Sequence, residues 1–229
     1  KRYAEISARL SKLSSDFSNH VLDATQAYFK PLTEDQLAGL PQSSVELLTQ
    51  YGQQRELEQA VATLDIPSYL AIMTYASDRT VREELYKAYT TRASEQSDLP
   101  EFDNTPVMEE ILGLRQEMAQ ILGFQNYAEL SLASKMAPDV DTVQQFLSDL
   151  AEHARKPAEK EIAELKAIAL EDDITELQPW DTGYYSEKLK MQQFNLSQKA
   201  LKPCLPAPRI LQGLFGIVNR LYSVNVVER

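Results

Sequence analysis

Residues 6–27, ISARLSKLSSDFSNHVLDATQA, carry the pattern that decides the fold class. Apolar residues and one histidine recur there at alternating spacings of four and three, which places them on one face of an α-helix. The helix is expected to end before Pro31, because proline cannot continue a helix. Its apolar face needs a partner, so the pattern predicts packed helices. The stripe consists of Ile6, Leu10, Leu13, Phe17, His20, Ala24 and Ala27.

Helical periodicity recurs along most of the chain, and glycine is scarce, with 7 among 229 residues. Pro67 is expected to open one helix, and Gly123 to end another as a left-handed cap. We predict that Pro157 begins a new helix and does not sit inside a continuous one. The sequence therefore predicts a mainly α protein. The predicted helices cover residues 45–51, 67–75, 79–94, 107–121, 143–150, 157–168, 180–194 and 209–222.

Two segments depart from the helical pattern. Residues 63–66 form a short extended candidate, because the residue before a proline is disfavoured in helical angles. Residues 222–229 alternate like a strand that has no partner in the sequence. Together with Lys1 in place of an initiator methionine, this strand-like end leads us to expect an internal piece of a longer protein. We treat residues 1–229 as a single helical region, with a candidate sub-boundary near 96–106.

The composition excludes several functional classes. The chain has 23 basic and 34 acidic residues, a net charge of −11, and no basic stripe for nucleic-acid phosphates. No apolar run approaches the length that a bilayer span requires. A single cysteine, Cys204, fits a reducing compartment better than a secreted one. We therefore expect a cytoplasmic protein with no nucleic-acid and no membrane partner.

The residues that bind metals or act as nucleophiles are few and scattered. His20, His153 and Cys204 stand far apart, and the other candidates are carboxylates such as Asp149, which lies one helical turn before His153. His-Glu-x-x-His is absent, so a self-contained zinc site is not expected. His20 is better explained as a hydrogen-bonded member of an apolar face, His153 as a surface residue, and Cys204 as a part-buried thiol without a nearby histidine.

Carboxylate pairs and tyrosines give no firm assignment either. Glu109 with Glu110, and Glu161 with Glu164, suit acid/base chemistry only when buried together, and on polar helix faces such pairs are usually solvated. Six tyrosines are candidates for a peptide groove, although core packing explains them more simply. Nucleotide-binding glycine motifs are missing. From residue chemistry alone, we assign no catalytic, cofactor-binding or metal-binding residue. The tyrosines are Tyr69, Tyr75, Tyr86, Tyr89, Tyr184 and Tyr185.

Several short stretches, in matching order and spacing, carry a resemblance to a known family. They include VLDAT (21–25), LAGLP (37–41), LDIPSY (64–69), REELYKAY (82–89), LGFQNYAEL (122–130), LQPWD (177–181) and YYSEK (184–188). Over nearly its whole length the chain resembles the thimet-oligopeptidase family of zinc metallopeptidases. It departs from the family where PCLP stands at 203–206 in place of the usual Pro-Tyr-Phe-Pro.

The resemblance implies a function that the chain does not complete alone. In that family the zinc ligands and the general-base glutamate lie in a later segment carrying His-Glu-x-x-His, which this sequence lacks. The resemblance implies one helical lobe of a two-lobed, zincin-type oligopeptidase. That lobe walls a channel for short peptides and holds no zinc ligand. It also implies that the other segments of the same polypeptide are partners.

We therefore expect a cytosolic zinc oligopeptidase for the intact protein and an inactive fragment in this chain. Surfaces that face the other segments should be apolar, so the fragment is expected to self-associate. The alternative from another class is a stand-alone acidic helical module that binds a protein or peptide. An open reading frame that continues into His-Glu-x-x-His selects the peptidase, and a natural stop after Arg229 selects the module.

Overall fold

The structure is a computed structural model that describes residues 1–194 and 205–226. It is mainly helical, as predicted, and the described residues contain one small sheet of two strands. Short 3₁₀ turns at Asp35–Leu37, Pro100–Phe102 and Pro179–Asp181 connect the helices. The helices are α1 (Arg2–Ala27), α2 (Gln42–Gln53), α3 (Ile66–Tyr75), α4 (Arg79–Thr91), α5 (Thr105–Ile121), α6 (Tyr127–Leu132), α7 (Val140–Glu171), α8 (Thr182–Phe194) and α9 (Ala207–Tyr222).

Helix α1 packs along α5, and this is the partner that its apolar stripe requires. Ile6 and Leu13 of that stripe are buried. Two exposed, bidentate ion pairs join the helices, Arg2 to Glu117 and Arg9 to Glu110, each with both distances at 2.6 Å. Exposed pairs contribute little stability, so burial of the apolar stripe holds the two helices together.

Strands β1 (Phe29–Pro31) and β2 (Val61–Thr63) pair antiparallel, with Phe29 opposite Thr63. The short extended segment predicted near residues 63–66 is observed as β2, at Val61–Thr63, and β1 was not predicted. The ladder ends at Thr63 because its backbone N–H donates to the buried Ser68 hydroxyl at 2.8 Å. Proline is tolerated in the first turn of a helix, so α3 already begins at Ile66.

The largest core lies under this sheet, between α2, α3 and α4. Its buried members are aliphatic side chains, and half-buried tyrosines from the same elements pack around them. A smaller core joins the end of α7 to α8. The main core consists of Leu32, Leu48, Ala60, Ala62, Leu64, Ile72, Ala76, Val81 and Leu85, and the smaller one of Leu165, Ile168, Ala169 and Tyr185.

Helix α7 runs unbroken through Pro157, so the prediction that a new helix begins there is wrong. Asp139 caps the helix by accepting a hydrogen bond from the Thr142 N–H at 2.7 Å. Pro157 removes only one backbone hydrogen bond. Its surroundings are exposed and rich in alanine, glutamate and lysine, which favour helix and leave the freed carbonyl to water.

The described end of the chain also differs from the prediction. Tyr222 belongs to helix α9, and residues 223–226 form no strand, so the predicted strand-like end is wrong over 222–226. Ser223 turns the chain in a left-handed conformation with φ of 54°. The Asn219 amide then donates to Asn225 Oδ1 at 2.6 Å. Residues 227–229 of this prediction lie outside the described residues.

Among the described residues, no helix combines the length and the apolar character that crossing a bilayer requires. The proposed sub-boundary at 96–106 coincides with the loop and 3₁₀ turn before α5. Nothing in the structure tests whether it separates two folding units, so it stays a prediction.

Candidate functional site

His20 was considered as a metal ligand, and in the structure it makes a hydrogen bond to another side chain. Its Nδ1 lies 2.9 Å from Asn104 Oδ1, and the buried Asn104 amide donates to the Phe17 carbonyl at 3.1 Å. Because Asn104 donates with its nitrogen, its oxygen accepts the His20 Nδ1–H. The imidazole therefore joins α1 to the start of α5, which agrees with the interpretation of His20 as a hydrogen-bonded member of a helix face.

The other predicted ligand types are not brought together. His153 is exposed and its Nδ1 bonds the Asp149 carbonyl of the same helix at 2.6 Å, while Cys204 lies outside the described residues. Within residues 1–194 and 205–226, no group of three or more His, Cys, Asp or Glu side chains is placed to hold a metal ion. The described residues therefore do not form a zinc site.

The predicted carboxylate pairs are solvated and do not form acid/base sites. Glu110 binds Arg9, and that hydrogen bond lowers the pKa of the Glu110 carboxyl. Glu109 and Glu161 are exposed, and Glu164 lies 3.8 Å from the Lys160 ammonium on the same helix. None of these four glutamates is buried against another carboxylate.

The strongest polar cluster is one that sequence reasoning missed. Asp181, completely buried, accepts bonds from Arg79 Nε and Nη2 at 2.7–3.1 Å, and from Arg82 Nη2 at 3.0 Å. The Gln178 backbone N–H adds another at 3.0 Å. Burial alone would raise the pKa of Asp181, but the bonds from Arg79, Gln178 and Arg82 outweigh it and lower that pKa. We call Arg79, Arg82 and Asp181 the ionic centre.

Arg82 is the member of the ionic centre that ties three elements together. Its Nη1 donates to the Ala76 carbonyl at the end of α3 at 2.6 Å, and its Nε to the Trp180 carbonyl at 3.3 Å. The guanidinium lies 4.2 Å from the centroid of the Tyr184 ring. Arg82 is 1% exposed, so every bond it makes is shielded from water. The ionic centre therefore fixes α3, α4 and the start of α8 relative to one another.

A second carboxylate site lies close to this centre. Asp172 accepts from the Tyr185 hydroxyl at 3.1 Å and from the Lys188 ammonium at 2.5 Å. The bond from Lys188 lowers the pKa of Asp172. Burial, followed by the hydrogen bond to Asp172, raises the pKa of Tyr185 to about 12. At neutral pH the Asp172 carboxylate is therefore shared by a neutral phenol and an ammonium ion.

The tyrosines considered for a peptide groove pack mainly on other side chains. The Tyr69 and Tyr89 rings stack with centroids 4.1 Å apart, and the Tyr86 ring lies 5.9 Å from that of Trp180. The Tyr184 and Tyr185 rings meet edge to face at 5.2 Å. Of the six tyrosines, Tyr185 is buried and the other five are half-buried, and Tyr75 and Tyr184 also line a cavity beside α8.

The face of α4 opposite the ionic centre lines a cavity of about 590 Å³ between α1, α4 and residues 96–99. Lys87 and Arg92 bring positive charge to this α1–α4 cavity, and Glu84 and Asp98 bring negative charge. The Arg92 guanidinium lies 3.7 Å from the centroid of the Tyr89 ring, and its buried Nε has no hydrogen-bond partner among the described residues. The cavity thus offers both signs of charge.

The residues of the ionic centre come from parts of the sequence that lie far apart. The ionic centre combines residues of the REELYKAY and LQPWD stretches, 99 positions apart between Arg82 and Asp181. Each stretch was singled out by its resemblance to the oligopeptidase family, and neither has a spacing that predicts an ion pair with the other.

Comparison with known proteins assigns the family. The model of peptidase family M3 matches residues 72–229. Oligopeptidase A of Salmonella typhimurium and of Escherichia coli are each 48% identical to this chain over its full length, which corresponds to 34% of either relative. The probable cytosolic oligopeptidase A of Arabidopsis thaliana is 37% identical over 99% of this chain and 33% of that protein. The chain spans about a third of the length of the curated relatives it matches, and it belongs to peptidase family M3.

Proposed function

We propose that this chain is the helical, substrate-enclosing part of a cytoplasmic zinc metallo-oligopeptidase that hydrolyses short peptides. The match of residues 72–229 to peptidase family M3 carries the proposal, and the identity to oligopeptidase A along the whole chain supports it. In this proposal the zinc ligands and the general base belong to a segment outside residues 1–229. Zinc would supply the activated water there.

The role of the present residues is to enclose and orient the peptide. The ionic centre holds α4 by one face, and the opposite face lines the α1–α4 cavity. A peptide offers carbonyl and N–H groups together with charges of both signs, so a cavity that presents both arginine and aspartate suits it. We propose this cavity as a substrate contact, with residues 1–229 acting as one helical lobe.

Two further parts of the proposal concern partners. The other segments of the same polypeptide are the first, and apolar side chains of α9 support this, because Leu211, Leu214 and Leu221 are 48–69% exposed. Exposed apolar surface of this kind also favours self-association of the isolated chain. Nucleic acid and membrane are not proposed as partners.

A hydrolysis assay tests the proposal. The intact polypeptide encoded by the complete gene is expected to cleave a fluorogenic short peptide in a reaction that a chelator stops and zinc restores. The 229-residue chain with added zinc is expected to show no turnover. Zinc-dependent turnover that co-purifies with the short chain contradicts the assignment of the catalytic groups, and an intact polypeptide that cleaves no peptide contradicts the peptidase assignment.

A further inference from the structure

A second cavity, of about 370 Å³, lies where residues 38–41 and the end of α3 meet α8. Its walls include two carboxylates, two aromatic rings and a thioether. We call it the Glu187 cavity. The side chains that matter to its chemistry are Tyr75, Glu171, Tyr184, Glu187, Lys188 and Met191.

The Glu187 carboxylate has no hydrogen bond among the described residues. Its Oε1 is buried and unpartnered, and its Oε2 lies 3.9 Å from the Lys190 ammonium, which is beyond hydrogen-bond distance. The side chain is only 14% exposed. Oε1 has therefore lost water without gaining a donor, which is unfavourable, and the 3.9 Å ion pair of Oε2 with Lys190 supplies no hydrogen bond in exchange.

Lys188, the lysine that lines the cavity, makes its ion pair with Asp172 and not with Glu187. Lys188 is held by Asp172 at 2.5 Å and lies over the Tyr184 and Tyr185 rings, 4.9 and 5.6 Å from their centroids. Glu187 also affects Tyr75, which lies on α3 in the same cavity. Burial, and then the negative charge of Glu187, raise the pKa of the Tyr75 hydroxyl. The side chains that line the cavity therefore carry two negative charges, on Glu171 and Glu187, and one positive charge, on Lys188.

The backbone fixes the opening of this cavity. Gly39 has φ of 86°, and a Cβ there would lie 2.4 Å from both the Ser77 hydroxyl oxygen and the Tyr75 carbonyl oxygen. The Ser77 N–H donates to the Ala38 carbonyl at 2.9 Å. This close approach sets the end of α3 against residues 38–41 before any ligand binds.

We propose that the Glu187 cavity binds a cationic group of the peptide substrate, a guanidinium or ammonium ion. A cation there would give Glu187 Oε1 the donor that it lacks, and carboxylates attract such groups through charge-assisted hydrogen bonds. The proposal rests on the proposed peptidase function, because it assumes that a peptide reaches this surface. It adds a substrate class, which is peptides that carry a positive charge.

Direct binding tests this site separately from hydrolysis. The probe is a fluorescent alanine-rich octapeptide with one central arginine, and its matched control carries citrulline, which keeps the shape of arginine without its charge. An N-acetylated form of each peptide distinguishes the side chain from the terminal ammonium as the bound group. Anisotropy titrations with the intact polypeptide, chelated so that it does not turn over, give the dissociation constants.

We expect Glu187→Gln to weaken binding of the charged peptide about tenfold and to change binding of the acetylated citrulline peptide less than twofold. Glu46→Gln removes the same charge from an exposed position on α2 and is expected to change neither. A second variant, Met191→Lys, places a competing cation in the wall of the cavity. It is also expected to weaken binding of the charged peptide.

Two results would overturn the site. One is equal binding of the charged peptide and the acetylated citrulline peptide by the unaltered protein, and the other is an equal loss of affinity with Glu46→Gln. Charge-selective binding without any hydrolysis when zinc is restored would leave the site standing and refute the proposed peptidase function. Hydrolysis without charge-selective binding would support the proposed peptidase function and refute the site.

Discussion

Asp181 and Glu187 lie six positions apart on the same stretch of chain, and the structure treats their carboxylates in opposite ways. Asp181 is completely buried and accepts bonds from two arginines and a backbone N–H. Glu187 is 14% exposed and accepts none among the described residues. The first carboxylate is part of the architecture, whereas the second has its binding capacity still available.

The difference shows how to separate structural charges from candidate binding charges in a helical protein. A saturated carboxylate gains nothing from a ligand, because a new donor would have to displace an existing one. An unsaturated, shielded carboxylate gains the full value of a charge-assisted hydrogen bond. Removing a partner should therefore be costly at Asp181, and neutralising the charge should cost little at Glu187.

The largest expected effect is at the ionic centre. Arg82→Met removes a buried guanidinium while keeping an apolar stem of similar length, and it leaves the Ala76 carbonyl and one Asp181 oxygen with fewer donors. We expect the free energy of unfolding of the 229-residue chain to fall by about 3–5 kcal/mol, as is typical when one partner of a buried pair is lost. Urea unfolding followed by circular dichroism measures it.

Glu83→Gln is the matched control for the ionic centre. It breaks the ion pair from Lys87 to Glu83, at 2.6 Å, which lies one turn along the same helix but at the surface. Exposed pairs of this kind contribute a few tenths of a kcal/mol. A loss at Arg82→Met no larger than that of the control would show that Asp181 is not saturated by Arg82, and the comparison would fail.

A smaller effect is expected at high pH from Tyr185, which is 2% exposed. Its pKa is raised to about 12 in the folded chain, whereas an unfolded tyrosine titrates near 10. Between these values the unfolded state loses the proton first. The contribution of Tyr185 is therefore complete below pH 10 and declines as the pH rises towards 12.

Tyr185→Phe isolates this contribution because it removes the titrating hydroxyl and keeps the ring. We expect the unaltered chain to lose up to about 2–3 kcal/mol from this group between pH 10 and 12, and the variant to show a correspondingly shallower decline. Tyr222→Phe, at a 71% exposed position, should leave the slope unchanged. Identical slopes for Tyr185→Phe and the unaltered chain would rule out Tyr185 as the source.

The sequence predicts features that depend on neighbouring residues, such as helices, and it does not predict contacts between residues far apart in the chain. The apolar periodicity at 107–121 predicted α5, which is observed at Thr105–Ile121. Strand β1 was missed because its three residues become a strand only by pairing with residues 61–63. The ionic centre was missed for the same reason, since no pattern within either stretch records that Arg82 meets Asp181.

The smallest expected effect is at Glu187, and the change in the free energy of unfolding is expected to have the opposite sign to that at the ionic centre. Glu187→Gln replaces a shielded carboxylate, which accepts no hydrogen bond among the described residues, with a neutral amide of the same shape, and a neutral amide costs less to remove from water. We expect the free energy of unfolding to stay equal or to rise by up to about 1 kcal/mol, measured by the same urea titration. A fall of more than about 1 kcal/mol would mean that Glu187 already has a partner in solution. The carboxylate would then be structural, like Asp181, and it would not be available to a ligand.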